Sequence, residues 1–295
     1  MATHAAWLLV VGILISSVVL WRQVQALDTL TLVWNFPALL SLLLFAGLAY
    51  GLSVLIWRRL VQSTCGQAPY WKDGLRGLGW LLVGKYLPGK VVGLVGRGAI
   101  LPESVTTSAR IWLVLVEQAL GVWGLVSAMV IFASFSSINI PVEVLGLATA
   151  LCLAVPWIGV RVFAAVATLP RFAGAGLVRL PSSVITWMAS LLLGLVVLSP
   201  AMLVDEFVGL DLHRLDKLGL AAAYGASVVA GMVVFVLPAG IGVREAVFVA
   251  ASSSIVAPHE ALVVALVLRL WSVTFDLTGG AMAALLSMNR NSSSG

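Results

Sequence analysis

The sequence predicts an all-α polytopic membrane protein, with about seven to eight transmembrane helices and two broken or re-entrant helical segments. Three observations carry this expectation. Of the 295 residues, 61% are hydrophobic and only 10% are charged, with a mean hydropathy of +1.09; a soluble domain would need far more charge to cover its surface. The apolar residues come in blocks near the length of about 20 that crosses a hydrocarbon core. Two further apolar stretches are interrupted by glycine, proline and charge where a plain helix would continue. The blocks follow one another with short polar breaks, so residues 1–295 read as a single integral membrane domain.

The first apolar run, Ala6–Trp21, lacks a basic leader and a small-residue cleavage site. It reads as a retained first transmembrane helix rather than a signal peptide. The next spans are Pro37–Trp57, Ile111–Phe135, Val144–Leu169, Val184–Val204, Leu218–Leu237 and Ala261–Leu286. Val144–Leu169 contains Pro156 and Arg161, which leaves its end the least defined.

The two interrupted segments lie near residues 75–100 and 236–258. The first is broken by Lys85, Pro88, Gly89, Lys90 and Arg97; the second by Pro238, Gly240, Gly242, Arg244 and Glu245. Proline removes a backbone donor and glycine lets the chain turn. Non-helical backbone at membrane depth is tolerated only inside protein or beside a water-filled cavity. A polar loop between two helices is the plainer alternative. The segments also resemble each other: Leu87-Pro88-Gly89 precedes Gly96-Arg97, and Leu237-Pro238-Ala239-Gly240 precedes Gly242-Val243-Arg244. Broken helices in matching positions are a mark of transporters built from two structural repeats.

The net charge of +5 and pI of about 9.6 reflect basic loops rather than a nucleic-acid surface. Arg58, Arg59, Lys72 and Arg76 form one cluster, and Arg161, Arg171 and Arg179 another. Asp205, Glu206, Asp211 and Asp216 make the next loop acidic. The positive-inside rule puts the basic clusters and the N-terminus in the cytoplasm. Cys65 and Cys152 form no CxxC or Cys/His cluster, and His4, His213 and His259 are scattered. Neither a metal nor another cofactor is expected.

Gly84-Lys85-Tyr86-Leu87-Pro88-Gly89-Lys90 matches the start of a nucleotide-binding P-loop, but Val91 replaces the required Ser or Thr. What remains is anion-binding character: two lysines beside a helix break. Glu117 lies inside an apolar helix, where a charge costs roughly 2.5–3.5 kcal/mol on insertion scales; it needs a partner, and Arg110 and Arg97 are the candidates. Arg269 and Asp276 share a face of the last helix seven residues apart, too far for mutual contact, so Arg244 and Glu245 are candidate partners.

Lys85-Tyr86-Leu87-Pro88-Gly89-Lys90-Val91 followed by Gly96-Arg97, and Pro238-Ala239-Gly240-Ile241-Gly242-Val243-Arg244-Glu245, resemble the two signatures of the lysylphosphatidylglycerol synthase transmembrane region, a family of flippase-like membrane proteins. Glu117, Arg269 and Asp276 resemble that family's intramembrane charged positions. Gln118 and Val92 depart from it, standing where Arg and Trp are common. No soluble domain follows the last helix, so the aminoacyl-transfer activity of larger relatives is not expected and the chain is not read as an enzyme.

The resemblance implies a lipid flippase-like transporter in a cell (plasma or inner) membrane, acting on an anionic or polyprenyl-phosphate-linked lipid or glycolipid. Lys85, Lys90, Arg97 and Arg244 are expected to bind the phosphate. Glu117, Glu245, Arg269 and Asp276 are expected to supply counter-charge or proton coupling. Pro88, Gly89, Pro238, Gly240 and Gly242 are expected to shape the breaks. Expected partners are membrane lipids and envelope glycolipid or polysaccharide biosynthesis proteins. Two other readings stay open: a non-transporting accessory or scaffold subunit of such a pathway, and a membrane-embedded head-group transferase.

Overall fold

The computed structural model describes residues 34–86, 91–167, 183–234 and 240–291, with the backbone alone at 162–167 and 288–291. Every regular element among them is helical. The expected first span, Ala6–Trp21, lies outside the described residues, as do Pro88, Gly89, Lys90 and Pro238.

Helix α1 (Phe36–Cys65) starts where the Asn35 side chain accepts the Ala38 N–H at 3.2 Å. It stops at Gly66, whose φ of 78° suits a residue without a Cβ. Then come α2 (Trp71–Gly84), α3 (Val91–Ala99), α4 (Thr107–Ser134) and α5 (Val142–Ala167). Helix α6 (Val184–Leu198) continues through a 3-10 turn, Ser199–Met202, into the short α7 (Asp205–Val208). The chain ends with α8 (Arg214–Val233), α9 (Val243–Ala251) and α10 (Pro258–Asn291). Pro156 sits inside α5 without ending it, a tolerance common in membrane helices.

Five stretches among the described residues are long and apolar enough to cross a membrane: Phe36–Cys65, Thr107–Ser134, Val142–Arg161, Val184–Val208 and Pro258–Ser287. They correspond to five of the expected spans. The sixth, Leu218–Leu237, is helical as α8 but is not among these five. It is rich in Gly and Ala and much of it is buried inside the bundle. The outer surface is apolar, with Leu43, Leu44, Leu147, Leu151, Met188 and Leu285 exposed. A soluble monomer rarely presents such a surface, and the chain is a multi-pass membrane protein.

Contacts sort the helix termini onto two ends of the bundle. At the basic end, Arg76 Nε reaches Ser287 Oγ at 3.3 Å, joining the start of α2 to the last turns of α10. Arg110 Nη2 donates to the Pro102 carbonyl at 2.7 Å, joining the end of α3 to the start of α4. At the acidic end, Asn35 Nδ2 donates to Glu206 at 2.9 Å, Ser137 meets Asp216 at 2.5 Å, and Lys217 pairs with Asp205 at 2.5 Å. These contacts gather the start of α1, the end of α4, α7 and the start of α8. Ile255, just beyond α9, packs where a Cβ on Gly219 of α8 would lie.

Helices α2 and α3 therefore form a hairpin based at the basic end, and α8 and α9 form one based at the acidic end. Their 14 and 9, and 20 and 9, residues correspond to about 21 and 14 Å, and about 30 and 14 Å. Close backbone approach near the tips holds each pair together. A Cβ on Gly84 would lie 2.2 Å from Gly93 Cα. Gly240, at φ +69°, comes so close to Gly231 that a Cβ would lie 2.7 Å from its Cα. Two apolar cores flank the region between the tips: Trp57, Leu60, Leu113 and Leu120 on the basic side, and Leu198, Leu220, Phe248 and Val264 on the acidic side.

Candidate functional site at the hairpin junction

Helix α10 runs past both hairpin tips. Arg269 and Asp276 lie about 17 and 27 Å along its length of about 51 Å, so both fall in its middle third. Buried charge at such a depth is costly unless matched, and each hairpin supplies matching groups.

The first hairpin delivers Lys85 and Tyr86 to Asp276. Lys85 Nζ lies 2.6 Å from Oδ1, and the Tyr86 hydroxyl donates to Oδ2 at 2.5 Å. Asp276 is 1% exposed, whereas the Lys85 side chain keeps 34% of its surface open. Small residues permit the approach: a Cβ on Gly79 of α2 would lie 2.6 Å from the Gly279 carbonyl of α10. From α1, the Tyr50 ring stacks on Phe275 at 4.3 Å. Its hydroxyl donates to the Phe275 carbonyl and meets Thr278 Oγ1 at 2.8 Å.

The second hairpin delivers Arg244 and Glu245 to the Arg269 level. Gly242, at φ 81°, starts α9, and Glu245 turns back to accept its N–H at 2.7 Å. This anchors the carboxylate on the helix N-terminus, where negative charge is favoured. The Arg244 guanidinium lies 5.7 Å from the centre of the Tyr224 ring. Tyr224, Ser227, Arg244, Glu245, Phe248 and Arg269 line a cavity of about 10 Å³, room for roughly one water. Arg244 and Arg269 lie close enough to Lys85 for the three like charges to repel one another.

Arg97 and Glu117 are brought together elsewhere. Arg97 is 0% exposed, and its Nε and Nη2 grip the two Glu117 oxygens at 3.0 and 2.5 Å. Its Nη1 donates to the Gly74 carbonyl at 2.7 Å, and the guanidinium stacks 4.4 Å over Trp57. This pair is closed and neutral. Arg110, the other candidate partner of Glu117, turns instead to the carbonyls of Val105, Gly98 and Pro102.

The junction thus gathers Lys85, Arg244, Glu245, Arg269 and Asp276, three cations against two carboxylates. Gly240 and Gly242 shape the second tip, while Lys90, Pro88, Gly89 and Pro238 lie outside the described residues. Sequence reasoning missed Tyr50, Tyr86, Tyr224, Trp57 and the Gly74 carbonyl as site groups. A signal existed for two of the tyrosines: Tyr50 and Tyr224 sit inside α1 and α8, away from the helix ends where interfacial tyrosines gather. No protein-family model matches this chain and no curated protein matches it, so the resemblance to the synthase transmembrane region rests on its two short motifs.

Proposed function

We propose that the chain is a lipid flippase-like transporter that passes an anionic or polyprenyl-phosphate-linked head group through the junction of its two hairpins. The observation that supports this reading is the excess of cation where Lys85 and Arg244 meet the middle of α10, with Lys85 bridging Asp276 and a partly open surface. In a low-dielectric interior, a phosphate beside Lys85, Arg244 and Arg269 interacts far more strongly than in water. Asp276 and Glu245 then serve as counter-charges in the empty protein. The hairpins are re-entrant elements in a bilayer, inserted from opposite faces as expected of inverted repeats. The positive-inside rule assigns the basic end to the cytoplasm of a cell membrane.

The exchange of fluorescent phosphatidylglycerol between leaflets of proteoliposomes tests this reading. Arg244→Ala and Lys85→Ala are each expected to slow exchange about tenfold or more, the loss expected for one charge-assisted contact. Variant protein should remain monodisperse in detergent. Unchanged exchange in both variants defeats the assignment.

A second reading, a non-transporting scaffold subunit, is favoured by two observations: Arg97 and Glu117 satisfy each other, and the cavity at Arg244 is only water-sized. Under that reading wild-type protein itself gives no exchange above protein-free vesicles.

A further inference from the structure

On the outer face of the first hairpin, a groove of about 680 Å³ runs along α3, inside the roughly 300–1,000 Å³ typical of ligand sites. Trp80 of α2 and Val91, Val95 and Ala99 of α3 wall it, and Arg76 and Glu103 stand toward its basic end. Trp80 and Val95 are exposed to 48% and 63%, so the walls face outward rather than into the bundle. Helix α3 is about 14 Å long, about half of a hydrocarbon core of roughly 30 Å. The groove therefore has the depth of one leaflet, with its charged groups where head groups lie.

The charges at its end have opposite sign. Arg76 is fixed by Asp73 at 3.4 Å and Ser287 at 3.3 Å. Glu103 is exposed on the connection between α3 and α4 and has no ion-pair partner among the described residues. A purely anionic head group would meet repulsion at Glu103, and a purely cationic one would leave the guanidinium of Arg76, which lines the groove while Asp73 does not, without an acceptor from the ligand. A phosphate joined to an ammonium matches both. We infer that this groove is a binding site for one diacyl phospholipid with a zwitterionic head group: its acyl chain lies along Val91, Val95 and Ala99, its phosphate at Arg76 and its ammonium at Glu103. The site is separate from the hairpin junction, and its occupancy does not depend on transport.

Photo-cross-linking decides this in nanodiscs containing diazirine-tailed phosphatidylethanolamine or phosphatidylglycerol, with adducts mapped by mass spectrometry. The expected result is adduct on residues 91–99, about threefold stronger with phosphatidylethanolamine, the size of one partly exposed charge pair. Glu103→Gln should bring that ratio to about one. Ala99→Trp should cut the adduct about tenfold by filling the groove, and an adduct it leaves unchanged overturns the site. Equal labelling by the two lipids, or a preference that survives Glu103→Gln, overturns the head-group assignment and leaves only annular lipid. Absence of adduct on α3, as when another protein segment fills the groove, also overturns it. Glu103 lies on an exposed connection, so Glu103→Gln remains decisive if Ala99→Trp does not fold.

Discussion

Lys85, at the tip of the first hairpin, reaches Asp276 in the middle of α10 with 2.6 Å between Nζ and Oδ1. Tyr86, the next residue, takes the other carboxylate oxygen at 2.5 Å. Two adjacent residues at a helix break thus hold one buried carboxylate, 190 positions away in sequence. Tyr86→Phe keeps the ring and removes one hydrogen bond to a charged acceptor. It should lower stability by about 1.5–3 kcal/mol, measured by denaturant titration in detergent micelles. An unchanged midpoint would mean that the hydroxyl contributes nothing to holding Asp276.

The Arg97–Glu117 pair is buried on both sides. Removing one partner leaves an uncompensated buried charge, which costs about 3–5 kcal/mol, whereas replacing both by apolar groups is often tolerated. Glu117→Leu should therefore lower the thermal midpoint strongly, and Arg97→Met with Glu117→Leu should recover most of the loss. Transport should follow stability in these variants, because neither residue belongs to the junction. A double variant as unstable as the single one would argue against an ion-pair origin.

Gly84 and Gly51 provide opposite controls on backbone approach. A Cβ at Gly84 would collide with Gly93 at 2.2 Å, whereas one at Gly51 of α1 meets nothing within 4 Å. Gly84→Ala should cost about 1–3 kcal/mol through forced separation of α2 and α3. Gly51→Ala should be neutral or stabilising by up to about 1 kcal/mol, as expected for alanine in a helix interior. Thermal unfolding of the two purified variants checks the difference in sign.

Hydropathy located five crossing helices because a lipid solvent demands long apolar blocks, although α1 runs to Cys65 rather than Trp57. Their ends were less legible. Asp216 read as loop, yet it lies in the first turn of α8, where its side chain meets Ser137. The last helix runs from Pro258 to Asn291 rather than Ala261 to Leu286, because polar residues continue a helix beyond its apolar core. The charged site residues stood out as exceptions in apolar surroundings. Their pairing did not, since helical periodicity relates residues on one helix only. Arg110 shares a helix with Glu117, but Arg97 reaches it from α3. The placement of the two hairpin bases at opposite ends of the bundle was likewise hidden, because it follows from contacts such as Arg76 with Ser287 and Asn35 with Glu206.

The proposed transporter needs the two hairpins to insert from opposite faces so that their tips meet the middle of α10, and side-specific thiol labelling tests this most directly. Cys65, exposed at the end of α1, marks the base of the first hairpin. Ser253, exposed just beyond α9, marks the base of the second once changed to cysteine in a Cys152→Ser background. A membrane-impermeant maleimide applied to oriented vesicles should label Cys65 only from the cytoplasmic face and the Ser253→Cys thiol only from the opposite face. Labelling of both positions from the same face would contradict the meeting of the hairpins at Lys85, Arg244 and Asp276.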